Sequence, residues 1–365
     1  MTTNELPNLG GGAAGARPPA ESKRRRTWLG WARAWLADRP TWLKLAVLLV
    51  LLALLAYVVL LIAQYCRTGK PVSELPIVPA PVQQLLVKPP LYASSLAGVQ
   101  RPLGVAVAPD GKVFVTETGG ERKVHVFDSS GQEIGAFAPP DTTPGSRTPV
   151  YVAVSPQGKV YVSDRSANAI QIFGEDGSYL GTVPSPLAGG HPWQPLGLTF
   201  DKAGNLYVTE VTDGQHRVLV LDPEGKLKLE FGKQGTADGE FWFPNAVTVD
   251  GDGRIYVADS NNGRVQVFDP AGTLLYKIGR GLAAGDLSMP RGIAIEGSRL
   301  FVVDVSRQAV QVYQTGATPK FLYVFGEDAA GNSTFQYPNG LAIDSRGWVY
   351  VTDRENNRVQ VWRPQ

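Results

Sequence analysis

One cysteine, three histidines and two methionines stand in 365 residues. A lone cysteine closes no disulfide within the chain and supplies no multi-cysteine zinc or iron–sulfur site. No Ser-His-Asp spacing, glycine-rich phosphate loop or C-x-x-C-H haem attachment occurs, and no cofactor is read from the sequence. Glycine and proline make up about 19% of the chain, below the level of low-complexity segments. Apolar residues make up 43%, enough for a packed core. Net charge is only +2, but it is split. Residues 1–70 carry ten Lys and Arg against three acids, a net +7; the remainder carries 25 against 30, a net −5. A nucleic-acid-binding domain gathers positive charge on its folded part. Here that part is acidic, so the balance argues against nucleic acid as a partner.

Leu45 to Ala63 is a run of 19 residues with no charge and no strongly polar group. At ~1.5 Å per residue it spans about 28 Å, close to the hydrocarbon thickness of a bilayer. A core helix of a soluble protein would need a polar face. The spacing predicts a single transmembrane helix over 44–66, the chain's contact with a membrane. Seven Lys and Arg lie between Lys23 and Lys44, whereas only Arg67 and Lys70 follow the run. The positive-inside rule then places the N-terminus in the cytoplasm and the bulk of the chain outside the cytoplasmic membrane. A cleaved signal peptide fits less well: the run is long and no small-x-small site closes it. Residues 1–22 read as a disordered cytoplasmic tail. Residues 23–43, basic and holding Trp28, Trp31, Trp35 and Trp42, read as an interfacial segment with indoles at headgroup depth. Residues 67–90 carry six prolines and read as an extended linker. Cys66 sits at the outer end of the span.

From residue 91 to 365 the pattern is all-β and repetitive. The unit reads Pro-x-Gly-apolar-Ala-apolar, then Gly-x-apolar-Tyr-Val-x-Asp, then Arg-Val-x-Val-Phe. Its anchoring prolines are Pro102, Pro149, Pro195, Pro244, Pro290 and Pro338, and a period of about 47 must be read before anything else. Copy four holds three alternating runs, Ala246–Asp250, Arg254–Ala258 and Arg264–Asp269, and a weaker one, Leu274–Ile278. Turn residues such as Asp252-Gly253 separate them. A four-stranded sheet with two apolar faces buries both only by stacking radially, which is a propeller blade. Six units predict six blades. The sixth copy lacks a fourth strand, and Leu91–Gly98 is predicted to supply it from the other end of the domain, leaving no open edge. These repeats resemble the NHL repeat family, whose members form six-bladed β-propellers. The resemblance covers about residues 85–365, nearly the whole outer domain, and implies the fold; function varies widely on that fold.

Each second strand ends in an acid: Glu117, Asp164, Glu210, Asp259, Asp304 and Asp353. A residue present in every unit is expected to build the blade. These acids are expected to cap the turn that follows and to pair with a base opening strand three, such as Arg264 or Arg358, with Arg217 and Lys123 near Glu210 and Glu117. The residue after each repeat proline is expected to line the axial mouth: Leu103, Val150, Leu196, Asn245, Arg291 and Asn339. Three are apolar and three polar, so Asn245, Arg291 and Asn339 are the candidate binding residues. Resemblance to metal-dependent lactonases would imply a cation held by Glu210, Asn245, Asn339 and Asp353. Resemblance to amidating-enzyme lyases would need His125, His191 and His216 to converge on zinc, and their positions in the repeat oppose that. The expected function is a membrane-tethered, extracytoplasmic binding or scaffold module without catalysis of its own, with an envelope or extracellular protein as partner. The alternatives are a tethered hydrolase at the mouth and a sensor domain.

Overall fold

The apolar run folds into one unbroken helix, α1 (Thr41–Thr68), in the computed structural model, which describes residues 39–68, 87–279, 285–316, 318–326 and 333–365. Its Thr41–Arg67 stretch is long and apolar enough to cross a membrane, reaching ~40 Å at ~1.5 Å per residue. The helix begins three residues before the expected 44 and ends two after 66. The expected tail at 1–22 lies outside the described residues. So do the tryptophan-rich segment up to residue 38 and positions 69–86 of the expected linker. The helix and the propeller are separate units.

Alternation of apolar and polar residues, punctuated by Asp-x-x-Gly turns, produces 24 strands among the described residues. The chain first forms β1 (Leu91–Leu96). Blade one follows with β2 (Pro102–Val107), β3 (Val113–Glu117), β4 (Val124–Phe127) and β5 (Glu133–Phe137). Blade two has β6 (Pro149–Val154), β7 (Val160–Asp164), β8 (Ala169–Phe173) and β9 (Tyr179–Val183). Blade three has β10 (Pro195–Phe200), β11 (Leu206–Glu210), β12 (Arg217–Leu221) and β13 (Leu227–Phe231). Blade four has β14 (Pro244–Val249), β15 (Ile255–Asp259), β16 (Arg264–Phe268) and β17 (Leu274–Ile278). Blade five has β18 (Pro290–Glu296), β19 (Arg299–Asp304), β20 (Ala309–Gln314) and β21 (Lys320–Phe325). Blade six has β22 (Pro338–Ile343), β23 (Val349–Asp353) and β24 (Arg358–Arg363). Every sheet is four-stranded, and the sixth runs β1-β24-β23-β22. The protein is a six-bladed β-propeller with one apolar N-terminal helix.

Second and third strands are buried on both faces, as in β15 and β16. Fourth strands such as β5 and β13 are largely exposed, which is why their alternation is weaker in the sequence. Each seam between neighbouring blades holds its own apolar cluster: Phe114 with Phe173 between blades one and two, and Tyr256 with Leu300 between four and five. Side chains such as Phe114 and Tyr256, fully buried, contribute about 1.5–3 kcal/mol each by leaving water. Near the axis the seams are polar. The Thr116 hydroxyl donates to Val150 O at 2.6 Å, Ser163 to Leu196 O at 2.7 Å, and Thr352 to Leu103 O at 2.9 Å.

β1 completes the ring. It pairs antiparallel with β24 from Leu91↔Arg363 to Leu96↔Val359, with a bulge between Tyr92 and Ser94. Leu96 and Val99 are buried in the seam between blades six and one, with Val359, Val361 and Phe127. Tyr92 meets Trp362 edge-on at 5.8 Å. Across the same seam the Arg101 backbone N–H donates to Asn357 Oδ1 at 2.9 Å.

Candidate functional site

The acids at the ends of the second strands face inward to their own blades. Each accepts a backbone N–H from the chain about to begin that blade's first strand: Gln100 to Glu117 (2.8 Å), Thr148 to Asp164 (2.9 Å), Gln194 to Glu210 (3.0 Å), Trp242 to Asp259 (2.7 Å), Ser288 to Asp304 (2.8 Å) and Gln336 to Asp353 (2.6 Å). The bases directly opposite add ion pairs: Arg217–Glu210 at 3.1 Å, Arg264–Asp259 at 2.7 Å and Arg358–Asp353 at 2.8 Å. Glu117 differs from expectation. Its partner is His125 Nε2 at 3.1 Å, while Lys123 turns to Glu121 at 3.6 Å. Lys123 does stand opposite Glu117, whose N–H donates to Lys123 O at 2.9 Å, but His125, two residues on along the same face, takes the place that Gln266 and Gln360 hold beside Asp259 and Asp353. All six acids are buried, and none is in the wall of the axial cavity.

That cavity measures about 230 Å³ and brings together Leu103, Val150, Leu196, Asn245, Arg291 and Asn339, one from each blade. Arg101, Arg165 and Arg354, with Phe243 and Tyr151, complete most of its wall. Arg101 and Arg165 are exposed, so the cavity opens to solvent on their side. At its inner end Tyr151 lies across the axis, donating from its hydroxyl to Asn339 Oδ1 at 3.0 Å, from blade two to blade six. Tyr151 also borders a second axial space of about 210 Å³, walled by the inner strands of the blades. The phenol is thus a partition between the mouth and the channel. Burial pushes its pKa up to about 12, against the pull of the nearby Arg291 cation, so it remains a donor at neutral pH.

The three polar residues expected at the mouth are not equivalent. Asn245 is tied to the frame: its amide nitrogen donates to Ser260 Oγ at 2.6 Å and to Phe243 O at 3.2 Å. Asn339 is held only by its oxygen, on Tyr151, and Arg291 by nothing closer than Met289 Sδ at 3.9 Å among the described residues. Arg291 Nε, Asn339 Nδ2 and Arg354 Nε are buried with no hydrogen-bond partner among the described residues. All three belong to this cavity. Gln360 Oε1 and Trp362 Nε1 share that state but lie in the body of blade six. Arg291 and Arg354 lie over the Tyr337 ring, at 5.8 and 5.0 Å, and Arg165 lies 6.0 Å from the Phe243 ring. One carboxylate, Glu355, meets Arg101 and Arg354 at 3.1 and 3.0 Å. Four guanidinium groups against one carboxylate leave the mouth cationic. A larger space of about 320 Å³ opens between blades two and three beside Lys159, Tyr161 and Phe200, and none of the unpartnered buried donors borders it.

The metal set expected from Glu210, Asn245, Asn339 and Asp353 does not assemble. Both asparagines border the cavity, but each acid points into its own blade and is held by an arginine and backbone N–H groups. The histidines do not converge either. His125 bridges Glu117 and Glu133, His216 lies before β12, and His191 lies in the loop before β10. Among the described residues no group of three or more His, Cys, Asp or Glu could hold a metal ion.

Sequence reasoning missed Tyr151, although a signal existed. It occupies the position at which four of the six units place glycine (Gly104, Gly197, Gly292 and Gly340). Arg165 and Arg354 were also missed; each follows the acid that ends a second strand. His216 is a third. Its Nδ1 accepts the Phe243 N–H at 3.2 Å and its ring meets Phe243 edge-on at 5.7 Å, fixing one wall of the mouth. Burial pushes the His216 imidazole below its ordinary value of 6.5. The unfolded chain therefore takes up a proton that the fold resists, and stability is complete above about pH 6.5 and lost as pH falls below it. We expect the urea midpoint to drop less between pH 6.5 and 5 in His216→Gln than in the parent; parallel pH profiles would remove this role.

The NHL repeat family model matches residues 241–268 and 335–362, in blades four and six, and the chain carries NHL repeats. No curated protein matches it. Solved structures show the same fold at low identity. A streptogramin B lyase is similar at 16% identity and TM-score 0.52, over 74% of this chain and 97% of that one. A chain of the nidogen/laminin complex is similar at 18% and 0.53, over 67% and 85%. Hydrazine synthase of Kuenenia stuttgartiensis is similar at 18% and 0.52, over 72% and 77%. At such identities the likeness concerns the fold and not the activity.

Proposed function

We propose that the protein is a membrane-anchored binding module. Helix α1 holds it in the cytoplasmic membrane with the N-terminus inside, and the propeller is displayed outside. It performs no catalysis of its own and engages an envelope or extracellular protein at the axial mouth. One observation carries this reading. Residues common to the blades are consumed in building them, whereas residues that differ between blades gather at the mouth as a cationic, aromatic-rimmed cavity with unpartnered donors. Orientation rests on the arginine and lysine excess before the helix.

Two measurements on the full chain in intact cells test it. Leu180, 52% exposed on the outer strand of blade two, is replaced by cysteine in a Cys66→Ser background. A membrane-impermeant maleimide is expected to label L180C without permeabilisation. Labelling only after permeabilisation would put the propeller on the other side. A photo-crosslinking phenylalanine analogue at Tyr337, beside Arg291 and Arg354, is expected to form a discrete protein adduct, and the same group at Leu180 is not. Equal adducts at both positions, or none at Tyr337, would remove the mouth as a protein-binding surface.

A further inference from the structure

We propose that the axial mouth takes a carboxylate carried on an apolar body, with the carboxylate on Arg291, Asn339 and Arg354 and the body against Leu103, Val150 and Leu196. This deepens the reading of the mouth as the recognition surface and rests on it. Three features of the cavity carry the inference.

The first is donor supply. A buried N–H without an acceptor costs about 1–3 kcal/mol, and here three lie around a single space of about 230 Å³. The Tyr151 hydroxyl holds Asn339 by its oxygen, so the amide presents its nitrogen. Arg291 forms no ion pair among the described residues. Its one hydrogen-bond contact there is a long one of 3.9 Å to Met289 Sδ. Its guanidinium is nonetheless oriented beside the Tyr337 ring. Guanidinium and amide N–H groups together match the acceptor geometry of a carboxylate.

The second is asymmetry. Blades five and six supply the unpartnered donors. Blades one to three supply Leu103, Val150 and Leu196, and these pack with Tyr151 and Phe243 in one apolar cluster at the axis. A bare phosphate or sulfate would satisfy one half and leave the other unfilled. An apolar acid satisfies both.

The third is size and closure. The cavity is smaller than the ~300 Å³ at which drug-sized ligand pockets begin, and Tyr151 closes its inner end. The space suits a chain end or a small acid bound from the open side, not a ligand passing through the ring. A free small acid and the C-terminal residue of a protein share this chemistry.

The full chain in lipid discs is titrated calorimetrically with N-acetyl-leucine, its primary amide, and a peptide ending in Gly-Gly-Leu with a free carboxylate. The acid is expected to bind at least tenfold more tightly than the amide, since hydrogen bonds to a charged group are the stronger ones. Arg291→Gln is expected to lose at least tenfold in affinity for the acid, and Arg291→Lys less, at an unchanged melting temperature. If the natural ligand is a protein chain end, the peptide binds at least tenfold more tightly than N-acetyl-leucine; if it is a free acid, the peptide gains nothing. Equal binding of acid and amide, or no binding of either acid, overturns the proposal, and this comparison needs no variant. Displacement of N-acetyl-leucine by inorganic phosphate at matched concentration would refute the apolar half. Tyr337 adducts that persist without acid binding would sink the ligand class alone. Acid binding without adducts would sink the protein-binding reading alone.

Discussion

Deletion of residues 91–98 abolishes the cooperative unfolding transition of the propeller; this is the expected result of removing β1. The strand supplies β24 with its outer neighbour through five paired positions from Leu91↔Arg363 to Leu96↔Val359. Without it the hydrogen-bonding edge of β24 stands open, a template for association between chains. The deletion also takes Leu96 from the seam between blades six and one and Tyr92 from the face of Trp362. Leu96→Ala alone is expected to cost about 2–5 kcal/mol, a large part of the 5–15 kcal/mol typical of a domain. Loss of the whole strand exceeds it. Circular dichroism on heating, with size-exclusion chromatography for aggregates, reads both effects. An unchanged melting curve after deletion would mean that β1 decorates a ring already closed without it.

Substitution of the axial glycines has the second-largest effect. A Cβ at Gly340 would stand 2.3 Å from Leu103 O, and one at Gly292 2.3 Å from Asn339 O and 2.8 Å from Leu341 N. The obstacles are backbone atoms of the next blade, which no rotamer change can move. Overpacking costs about 1–3 kcal/mol where side chains can adjust, so Gly340→Ala is expected at the top of that range or above. The carbonyl it would displace belongs to Leu103, a wall residue of the mouth, so affinity at the mouth should fall with stability. Gly135→Ala is the control: its Cβ would meet nothing within 4 Å, and it should melt with the parent or slightly above it. If Gly340→Ala and Gly135→Ala melt together, the inner strands do not approach as described.

Much of this architecture is readable along the chain because it is local. Alternation marks β15 and β16, Asp250 and Gly253 mark the turn between β14 and β15, and the six prolines mark the blades. Gly253 adopts φ +78°, a conformation glycine reaches without strain, and its N–H donates to Asp250 O at 3.1 Å. The membrane-length helix is equally plain, since the absence of charge over Leu45–Ala63 is a property of composition. Less was readable at the site. Position after the proline correctly placed six residues at the axis but treated Asn245 and Asn339 as equals. The difference between them lies in Ser260 and Tyr151, groups from another strand and another blade. Glu117 and Lys123 stand opposite each other, yet the acid takes His125 and the lysine takes Glu121, because backbone register does not by itself decide which side chains pair.

Blade number and strand order within a blade follow from pattern alone, since each depends on neighbours within about fifty residues; the borrowed strand follows from the repeat count, the sixth copy lacking a fourth strand and β1 pairing with β24 from the far end of the domain. The cationic mouth does not. Arg101, Arg165, Arg291 and Arg354 come from four blades; position after a repeat proline singles out Arg291, but nothing in the sequence says that the other three meet it. They meet because β1 closes the ring and glycines let the inner strands crowd the axis. Closure also turns Tyr151 from a repeat irregularity into the floor of a cavity, and leaves Arg291 and Asn339 with hydrogens that no other part of the described chain accepts.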